Sequence, residues 1–388
     1  MSIYFKMKRA LVLASVASMI DQFNMPNIHL MIQLGYKVDV ACNFIEGSTC
    51  SDEKIVQLRH SLATMGVDCI QIDFARNVLK VTQNLRAYRQ TRRLLKLNHY
   101  DLIHSHSPIG GLLSRLAARD LRKGGTKVIY TAHGFHFFQG APLPNWLIFY
   151  PIEKFSSRWT DVLVTITHED FQLATRKMYA KQVVYVPGVG INTQLFLSDE
   201  NTERLRKTKR KELGLDEQDI LMLSVGELNK NKNHEVILRA MAQLGNKRLK
   251  YAIAGRGVLK DHLEQLAEEL GIADQFHLLG FRSDVRSLFK AADIFAHPSF
   301  REGLSVAVME AMASGLPIIC TQIRGNVDLI DNGKGGFWFH PVDVNSAEQA
   351  LRNVVATSDR KSLGAYNQKK AEGFDIKVVL NTMKDLYL

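Results

Sequence analysis

The chain has 388 residues, of which 46% are hydrophobic and 23% charged, with 26 glycines and 9 prolines. This composition excludes collagen-like, fibrous and disordered proteins and is that of an ordinary globular protein. At about 150 residues per domain, the length favours two domains, each large enough to bury its own core. We expect a cleft between them.

The formal net charge of +11 is carried almost entirely by the first half of the chain. Residues 1–190 hold 23 basic and 13 acidic side chains, whereas residues 191–388 hold 27 and 26. A basic half predicts a polyanionic partner, such as nucleic acid or an anionic membrane surface, although a merely soluble basic domain is an alternative. Nucleic acid is disfavoured because no recognised binding motif with interleaved aromatic residues is present.

Cysteine spacing and the N-terminal residues bear on localisation. The cysteines form no C-x-x-C pair and predict reduced thiols in a cytosolic protein; they are Cys42, Cys50, Cys69 and Cys320. Lys6, Lys8 and Arg9 precede the apolar run 10–20, as in a signal peptide, but this run leads directly into further predicted elements. We favour a first core strand. No apolar stretch approaches the roughly 20 residues that span a bilayer, so we expect peripheral membrane contact at most.

Short aliphatic runs alternate along the chain with longer helical periodicities, which predicts an α/β protein with parallel sheets. A charged segment at 198–213 predicts a linker that runs into an exposed helix. Both halves are interpreted as doubly wound sheets, which bind ligands beyond the carboxyl ends of their strands. The predicted strands are 9–14, 37–41, 68–72, 102–104, 127–131, 162–166, 183–186, 220–225, 250–254, 276–279, 294–297 and 317–321.

The most informative segment is 297–317. It predicts a strand end, a loop with Glu302 and Gly303, and a helix over about 304–313. A helix that begins just past a strand offers free N–H groups and a positive dipole end to an anion such as phosphate. The carboxylates of Glu302 and Glu310 would accept hydrogen bonds from ribose or sugar hydroxyls. A solvated Glu310 is the alternative, which the apolar character of the helix disfavours.

This segment resembles glycosyltransferase family 4, a family of retaining enzymes with the GT-B fold. Glu302 and Glu310 form an E-x7-E pair within H-P-S-x-x-E-G-x-x-x-x-x-M-E-A-M-A-x-G-x-P. Further similar segments occur in family order over essentially the whole chain: the acceptor-domain loops at 101–106 and 131–135, the end of the first domain at 186–192, a strand and loop with a phosphate-binding lysine at 224–234, and the border of the base pocket at 278–284.

The resemblance implies two Rossmann-like, doubly wound parallel-sheet domains that face each other across a cleft. Residues 1–195 would bind the acceptor and residues 196–374 the nucleotide-sugar donor. The C-terminal helix, 375–388, would pack back on the first domain.

For the donor site, the resemblance implies that Lys232 binds phosphate, Glu310 the ribose hydroxyls and Glu302 the hydroxyls of the transferred sugar. Negative charge accumulates on the departing diphosphate, and Lys232 with the helix N-terminus would stabilise it. No metal is expected, because no DxD motif lies in a suitable loop, and no cofactor is expected beyond the nucleotide sugar. The remaining predicted donor-site residues are Gly226, Glu227, Arg256, Phe281, Gly303, Leu304 and Ser305.

Two positions depart from the family pattern. Glu227 replaces the usual diphosphate-binding arginine, so Arg256 or another base compensates or the site works differently. The first strand leads into Ser15 and not into a double-glycine loop, which puts that loop's usual backbone contacts in doubt.

On the acceptor side, the resemblance places His133 opposite the donor sugar, with His106, Ser15 and Asn192 as further cleft residues. A structural histidine is the alternative for His133. The predicted helix 81–97 is amphipathic with a basic flank, although a packed helix with a solvated charged face is equally compatible. Its apolar arc is Val81, Leu85, Tyr88 and Leu95, and its basic arc is Arg86, Arg89, Arg93 and Lys96. Segment 141–152 is interpreted as an interfacial anchor or a wall of the acceptor pocket.

We therefore expect a metal-independent, retaining hexosyltransferase in surface polysaccharide or glycolipid biosynthesis, such as that of capsule or exopolysaccharide. The donor would be a UDP-hexose or UDP-N-acetylhexosamine, and the acceptor a polyprenyl-diphosphate-linked or other saccharide at the inner face of the cytoplasmic membrane. Two alternatives stay open: a nucleotide-sugar epimerase of the same fold, and a non-catalytic sensor or scaffold, which Glu227 motivates.

Overall fold

The computed structural model describes residues 7–48 and 50–388, so Lys6 of the predicted basic stretch lies outside the described residues. The chain divides into two compact units. Unit 1 runs to Val189 and includes Val379–Leu388, and unit 2 is Gly190–Val378. The sequence analysis placed this boundary after residue 195 and the start of the returning helix at residue 375.

Unit 1 is built on a sheet of seven parallel strands. The central strands are aliphatic runs, and residues 10–14 of the first strand are fully buried, as expected for a sheet covered by helices on both faces. The apolar run 10–20 thus forms a core strand and the start of a helix. The strands are β1 (Arg9–Val16), β2 (Lys37–Asn43), β3 (Asp68–Gln71), β4 (Leu102–His106), β5 (Lys127–Ala132), β6 (Val162–Thr165) and β7 (Gln182–Tyr185), in the order β3-β2-β1-β4-β5-β6-β7.

The helices of unit 1 include the last helix of the chain, whose residues Val379 and Met383 join the same apolar core as Ile28. The Tyr36 hydroxyl donates to the Tyr387 carbonyl oxygen at 2.7 Å, which ties this helix to the start of β2. The helices are α1 (Ala17–Phe23), α2 (Met25–Gln33), α3 (Asp52–Thr64), α4 (Val81–Leu97), α5 (Pro108–Ala118), α6 (Leu143–Ser156), α7 (His168–Lys177) and α16 (Ile376–Tyr387).

Unit 2 has a second parallel sheet, of six strands. Its last strand was missed by the sequence analysis, because it is a four-residue edge strand that follows a glycine-rich turn. The strands are β8 (Ile220–Val225), β9 (Leu249–Ala254), β10 (Phe276–Gly280), β11 (Ile294–His297), β12 (Ile318–Thr321) and β13 (Gly336–Phe339), in the order β10-β9-β8-β11-β12-β13. The prediction of two doubly wound α/β domains is confirmed.

The helices of unit 2 are α8 (Thr202–Glu212), α9 (His234–Leu244), α10 (Lys260–Glu269), α11 (Val285–Ala291), α12 (Val306–Ala313), α13 (Asn326–Leu329), α14 (Val344–Ala356) and α15 (Arg360–Ala371). The prediction of an exposed helix after the linker is wrong for one face of α8. Arg206 and Arg210 form ion pairs with Asp293 at 2.5 and 3.0 Å, and Arg210 is buried. Asp293, just before β11, therefore holds α8 against the rest of unit 2.

The buried face of α4 also differs from the prediction, although the helix bounds agree with it. Its buried residues are Ala87, Thr91 and Leu95, whereas Val81 and Leu85 are exposed. The buried face of α4 is thus formed largely by small side chains, and a prediction based on the large apolar residues misplaces it. Within the described residues, none of the helices combines the length and the apolar character that crossing a bilayer requires.

Candidate active site

The candidate donor site lies at the carboxyl edge of the unit 2 sheet. The strand order reverses between β8 and β11, and ligands bind at such a switch point in doubly wound sheets. Lys232 follows β8 and Glu302 follows β11. The Lys232 ammonium donates to Glu302 Oε1 at 2.7 Å, so the structure brings these two predicted residues into direct contact.

The loop that carries Lys232 is held by local geometry. The Asn229 side chain accepts a hydrogen bond from the Lys232 backbone N–H at 3.1 Å and so caps a short turn at Lys230–Lys232. Gly226 has a φ of 154°, and a side chain at Gly255 would lie 1.7 Å from the Gly226 carbonyl oxygen. Glycines therefore allow the β8 and β9 loops to approach each other closely.

Glu302 is a largely buried carboxylate that stays ionised. Burial by itself would raise its pKa, but His297 and the charge of Lys232 together hold the pKa well below its usual range. His297 Nε2 lies 3.4 Å from Glu302 Oε1. His297 belongs to the recognised motif but had no predicted role; its position at the end of β11 is the signal that could have indicated one. The carboxylate can accept hydrogen bonds but has no proton to give.

The helix after Glu302 begins two residues later than predicted, at Val306, with Ser305 as its N-cap. The Ser305 side chain makes no capping hydrogen bond, and Leu304 and Ser305 are both buried. The free N–H groups of this first turn form a positive helix end. Gly303 leads into the turn, and a side chain at Gly325 would lie 1.6 Å from the Gly303 carbonyl oxygen.

Glu310 lies on α12, and its electrostatics are opposite to those of Glu302. Burial raises the pKa of Glu310 to about 7, and the charge of Arg286 offsets this only in part. One carboxyl is therefore a fixed anion, and the other is poised near neutral pH. Such divergence between two carboxyls of one segment is a feature of functional sites.

The remaining predicted donor-site residues follow the neighbouring strands. Arg256 follows β9, and its guanidinium lies 5.7 Å from the centroid of the Phe281 ring, which follows β10 and is 70% exposed. Both side chains are exposed. Glu227 is exposed, and its Oε2 accepts a hydrogen bond from the Asn229 side chain at 2.8 Å.

The predicted acceptor-side histidines meet in unit 1. His106 ends β4 and His133 follows β5, and His106 Nδ1 lies 3.1 Å from His133 Nε2. Burial lowers the pKa of both rings, that of His133 to about 4, so both are neutral at pH 7. They can therefore act as hydrogen-bonding partners but not as cations.

A further buried histidine, His104, packs against His106. The rings of His104 and His106 lie 4.1 Å apart, and His104 bonds Thr131 Oγ1 at 2.8 Å and the Tyr387 hydroxyl at 2.9 Å. The sequence analysis included neither His104 nor Tyr387 among the cleft residues. The two lie 283 positions apart, and no local pattern signals their contact.

The other two predicted cleft residues lie on other segments of the chain. The Ser15 hydroxyl lies 2.7 Å from Ser107 Oγ and accepts from the Gly110 N–H at 3.0 Å, so it fastens β1 to the start of α5. Asn192 is exposed and belongs to unit 2. Among residues 7–48 and 50–388, no cluster of three or more His, Cys, Asp or Glu side chains is suited to a metal ion.

Comparison with known families agrees with this arrangement. The family model for Glycosyltransferase Family 4 matches residues 28–194, and the model for Glycosyl transferases group 1 matches residues 206–370. The chain therefore belongs to the family 4 glycosyltransferases. It is 35% identical to the Bacillus subtilis glycosyltransferase EpsD over 98% of this chain and 96% of that protein.

Two further comparisons extend this assignment. The chain is 29% identical to an Escherichia coli UDP-Gal:alpha-D-GlcNAc-diphosphoundecaprenol alpha-1,3-galactosyltransferase, over 80% of this chain and 81% of that one. Its fold matches the crystal structure of Anabaena Alr3699/HepE in complex with UDP, with a TM-score of 0.75 and 16% identity over 98% and 99% of the two chains. The fold is GT-B, as predicted.

The pKa of Glu310 predicts a specific pH dependence of stability. Because burial raises this pKa from about 4.5 to about 7, the folded protein holds an extra proton between these values. Stability therefore falls as pH rises through this interval. Glu310→Gln removes this titration. The difference in melting temperature, variant minus wild type, should therefore increase by a few °C from pH 4.5 to pH 7, which corresponds to about 1–3 kcal/mol in the free energy of unfolding.

Glu302→Gln is the matched control for this experiment. The pKa of Glu302 is lowered, so its contribution to stability is complete above pH 4.5 and is lost only as pH falls further. Its melting temperature should therefore lie below that of wild type by a constant amount from pH 4.5 to 8. Parallel curves for wild type and Glu310→Gln over this range would contradict the account.

Proposed function

We propose that this glycosyltransferase moves a sugar from a UDP-sugar to a lipid-linked saccharide, without a metal and with retention of anomeric configuration. The observation that carries the proposal is the contact between Lys232 and Glu302 at the strand switch point, beside the free N-terminus of α12. The names of the compared proteins support UDP and a diphosphoundecaprenol-linked acceptor.

The proposed chemistry begins with cleavage of the anomeric C–O bond. Electron density moves onto the departing diphosphate, where Lys232 and the N–H groups at Ser305 and the first turn of α12 would stabilise it. The donor phosphate would replace Glu302 as the partner of Lys232. Glu302 would then accept hydrogen bonds from the hydroxyls of the transferred sugar.

Retention follows if the acceptor hydroxyl attacks on the face from which the diphosphate departs. The hydroxyl oxygen forms the new bond to the anomeric carbon, and its proton passes to the departing diphosphate. No enzyme nucleophile is needed. His133, neutral at pH 7, would hydrogen-bond the donor sugar, and its contact with His106 would fix the ring orientation.

The nucleoside would occupy the exposed surface formed by Arg256 and Phe281. An aromatic ring and a guanidinium plane both stack on bases, and Arg256 would also supply the positive charge missing at Glu227. Glu310 would accept hydrogen bonds from the ribose hydroxyls. Because its pKa is about 7 in the free protein, affinity for the nucleoside should increase as this carboxyl ionises.

The proposed role of Lys232 predicts a catalytic defect. Lys232→Ala removes a charge aimed at the leaving group, so kcat for UDP release from UDP-glucose, UDP-galactose or UDP-N-acetylglucosamine should fall by about 100-fold or more. Lys230→Ala, in the same turn but exposed, is the control and should stay within about threefold of wild type. A kcat for Lys232→Ala equal to that of the control would contradict the proposal. UDP binding by wild type without turnover would favour a sensor.

An apolar surface on unit 1 supports peripheral membrane association. All six exposed residues of α6 are apolar, and they cover an arc of about 140° at 100° per residue; they are Leu143, Pro144, Leu147, Ile148, Pro151 and Phe155. On the opposite side of α6, the Phe149 ring packs against His136, with ring centroids 4.7 Å apart. Lys154 also falls within this arc, and its side chain is only partly exposed. An exposed face made of apolar side chains suits the interface of a bilayer.

Basic residues border this α6 surface. Lys154 lies over the rings of Tyr150 and Tyr179 at 5.7 and 5.2 Å, and Arg158 lies over Phe155 and Tyr179 at 5.3 and 5.0 Å. Positive charge beside an apolar surface complements anionic headgroups, each basic residue contributing about 1 kcal/mol. An anionic membrane is thus the proposed partner of the α6 surface and accounts for the basic first half of the chain.

Substitutions in α6 test this membrane contact. Leu147→Gln with Ile148→Gln should reduce co-sedimentation with phosphatidylglycerol-containing vesicles by at least about tenfold, because each leucine or isoleucine contributes about 1.5–3 kcal/mol when buried. Val258→Gln, at a 90% exposed position in unit 2, is the matched control and should bind as wild type does. Equal binding by both variants would exclude α6 as the contact surface.

A further inference from the structure

A cavity in unit 1 lies apart from the His106–His133 pair and from the α6 surface. It has a volume of about 410 Å³ and opens where β2 and β3 end. Eight of its nine lining residues are polar or charged, and Ile45 is the exception. A polar cavity at the carboxyl edge of a doubly wound sheet is a candidate ligand site. We call it the β2–β3 pocket.

The side chains of the β2–β3 pocket are held in place by one another. Asn43 Oδ1 accepts from the Glu46 backbone N–H and from Gln71 Nε2, both at 3.0 Å. Gln71 Nε2 also reaches Asp73 Oδ1 at 3.1 Å, and Gln90 Nε2 reaches Asp73 Oδ2 at 2.9 Å. A ligand would therefore meet polar groups that are already oriented, which lowers the entropic cost of binding.

The chemistry of the lining indicates the class of ligand. The hydrogen bonds from Gln71 and Gln90 lower the pKa of Asp73, so its carboxylate is an acceptor at neutral pH. Glu46 adds a second carboxylate, and Lys80 and Arg86 add donors. Two carboxylates disfavour a free phosphate, and the absence of aromatic rings from this described lining disfavours a nucleobase. Closely spaced acceptors and donors match the hydroxyls of a sugar.

The position of the pocket relative to His133 defines which sugar it would hold. The pocket lies at the ends of β2 and β3, and His133 follows β5, with β1 and β4 between β2 and β5. At about 4.8 Å between neighbouring strands, β2 and β5 are roughly 14 Å apart. A single sugar ring at His133 would not reach the pocket, whereas an oligosaccharide along the edge of the sheet would.

We propose that the β2–β3 pocket binds a saccharide ring of the acceptor other than the ring that receives the transferred sugar. The acceptor is then an oligosaccharide, and the pocket selects it by the hydroxyls of a ring distant from the reacting one. This inference rests on the proposed function, because it identifies the pocket ligand as part of the acceptor.

Ligand-observed NMR by saturation transfer tests the pocket directly. The probes are the methyl α-glycosides of glucose, galactose and N-acetylglucosamine, added to the full-length protein with saturating UDP to fill the proposed donor site. At least one glycoside should receive saturation. Asp73→Asn should weaken this binding about tenfold, because the variant removes a hydrogen bond to a charged group.

Two α4 variants complete the design. The Gln83 side chain donates to Glu46 Oε2 at 3.4 Å. Gln83→Leu should therefore also weaken glycoside binding, and it provides a second test if Asp73→Asn fails to fold. Arg89→Gln, on the same helix but outside the pocket lining, should bind as wild type does. Absence of transfer to all three glycosides, loss of transfer on addition of UDP, or equal binding by all variants would each overturn the proposal.

The same protein preparations separate this proposal from the proposed function. Release of UDP from a donor without any glycoside binding would overturn the pocket assignment alone. Glycoside binding that depends on Asp73, in a protein that turns over no UDP-sugar, would overturn the proposed function and leave a saccharide-binding pocket.

Discussion

The ion pair between Lys232 and Glu302 is the interaction on which the donor site depends. It joins the loops after β8 and β11, where the strand order of the unit 2 sheet reverses. A lysine there without a partner would be a largely buried, uncompensated charge, and so would the glutamate. The pair satisfies both groups in the free protein, and a donor with a phosphate and sugar hydroxyls offers each of them a new partner. In the proposed function, donor binding would exchange one set of charge interactions for another.

The two glutamates of the E-x7-E motif show how position on one segment determines chemistry. Glu302 contacts a lysine and a histidine and stays ionised, whereas Glu310 is half-buried on an apolar helix, where desolvation raises its pKa to about 7. The same residue type thus supplies a permanent acceptor and a group whose charge changes near neutral pH. In unit 1 the same effect of burial keeps His106 and His133 neutral.

The sequence predicted the fold well, because buried parallel strands and intervening helices leave strong periodic signals. It also selected Lys232 and Glu302, which the structure brings into contact, since each lies in a motif that follows a strand. Contacts between distant residues left no such signal. The bond from Tyr387 to His104, the position of Asp293 between Arg206 and Arg210, and the packing of α4 through Ala87 and Thr91 depend on tertiary structure. The β2–β3 pocket was missed for the same reason: its polar residues come from two strand ends and a helix.

Thermal unfolding of the full-length protein with UDP, GDP or ADP tests the central claim most directly, because a ligand that binds only the folded state raises the melting temperature. The account predicts that UDP stabilises the protein, by about 2.7 kcal/mol at a concentration 100 times its Kd, and that the stabilisation persists in EDTA. No shift with any nucleotide would contradict the assignment of Lys232, Glu302 and Glu310 as a donor site. A shift that EDTA abolishes would contradict metal-independent binding.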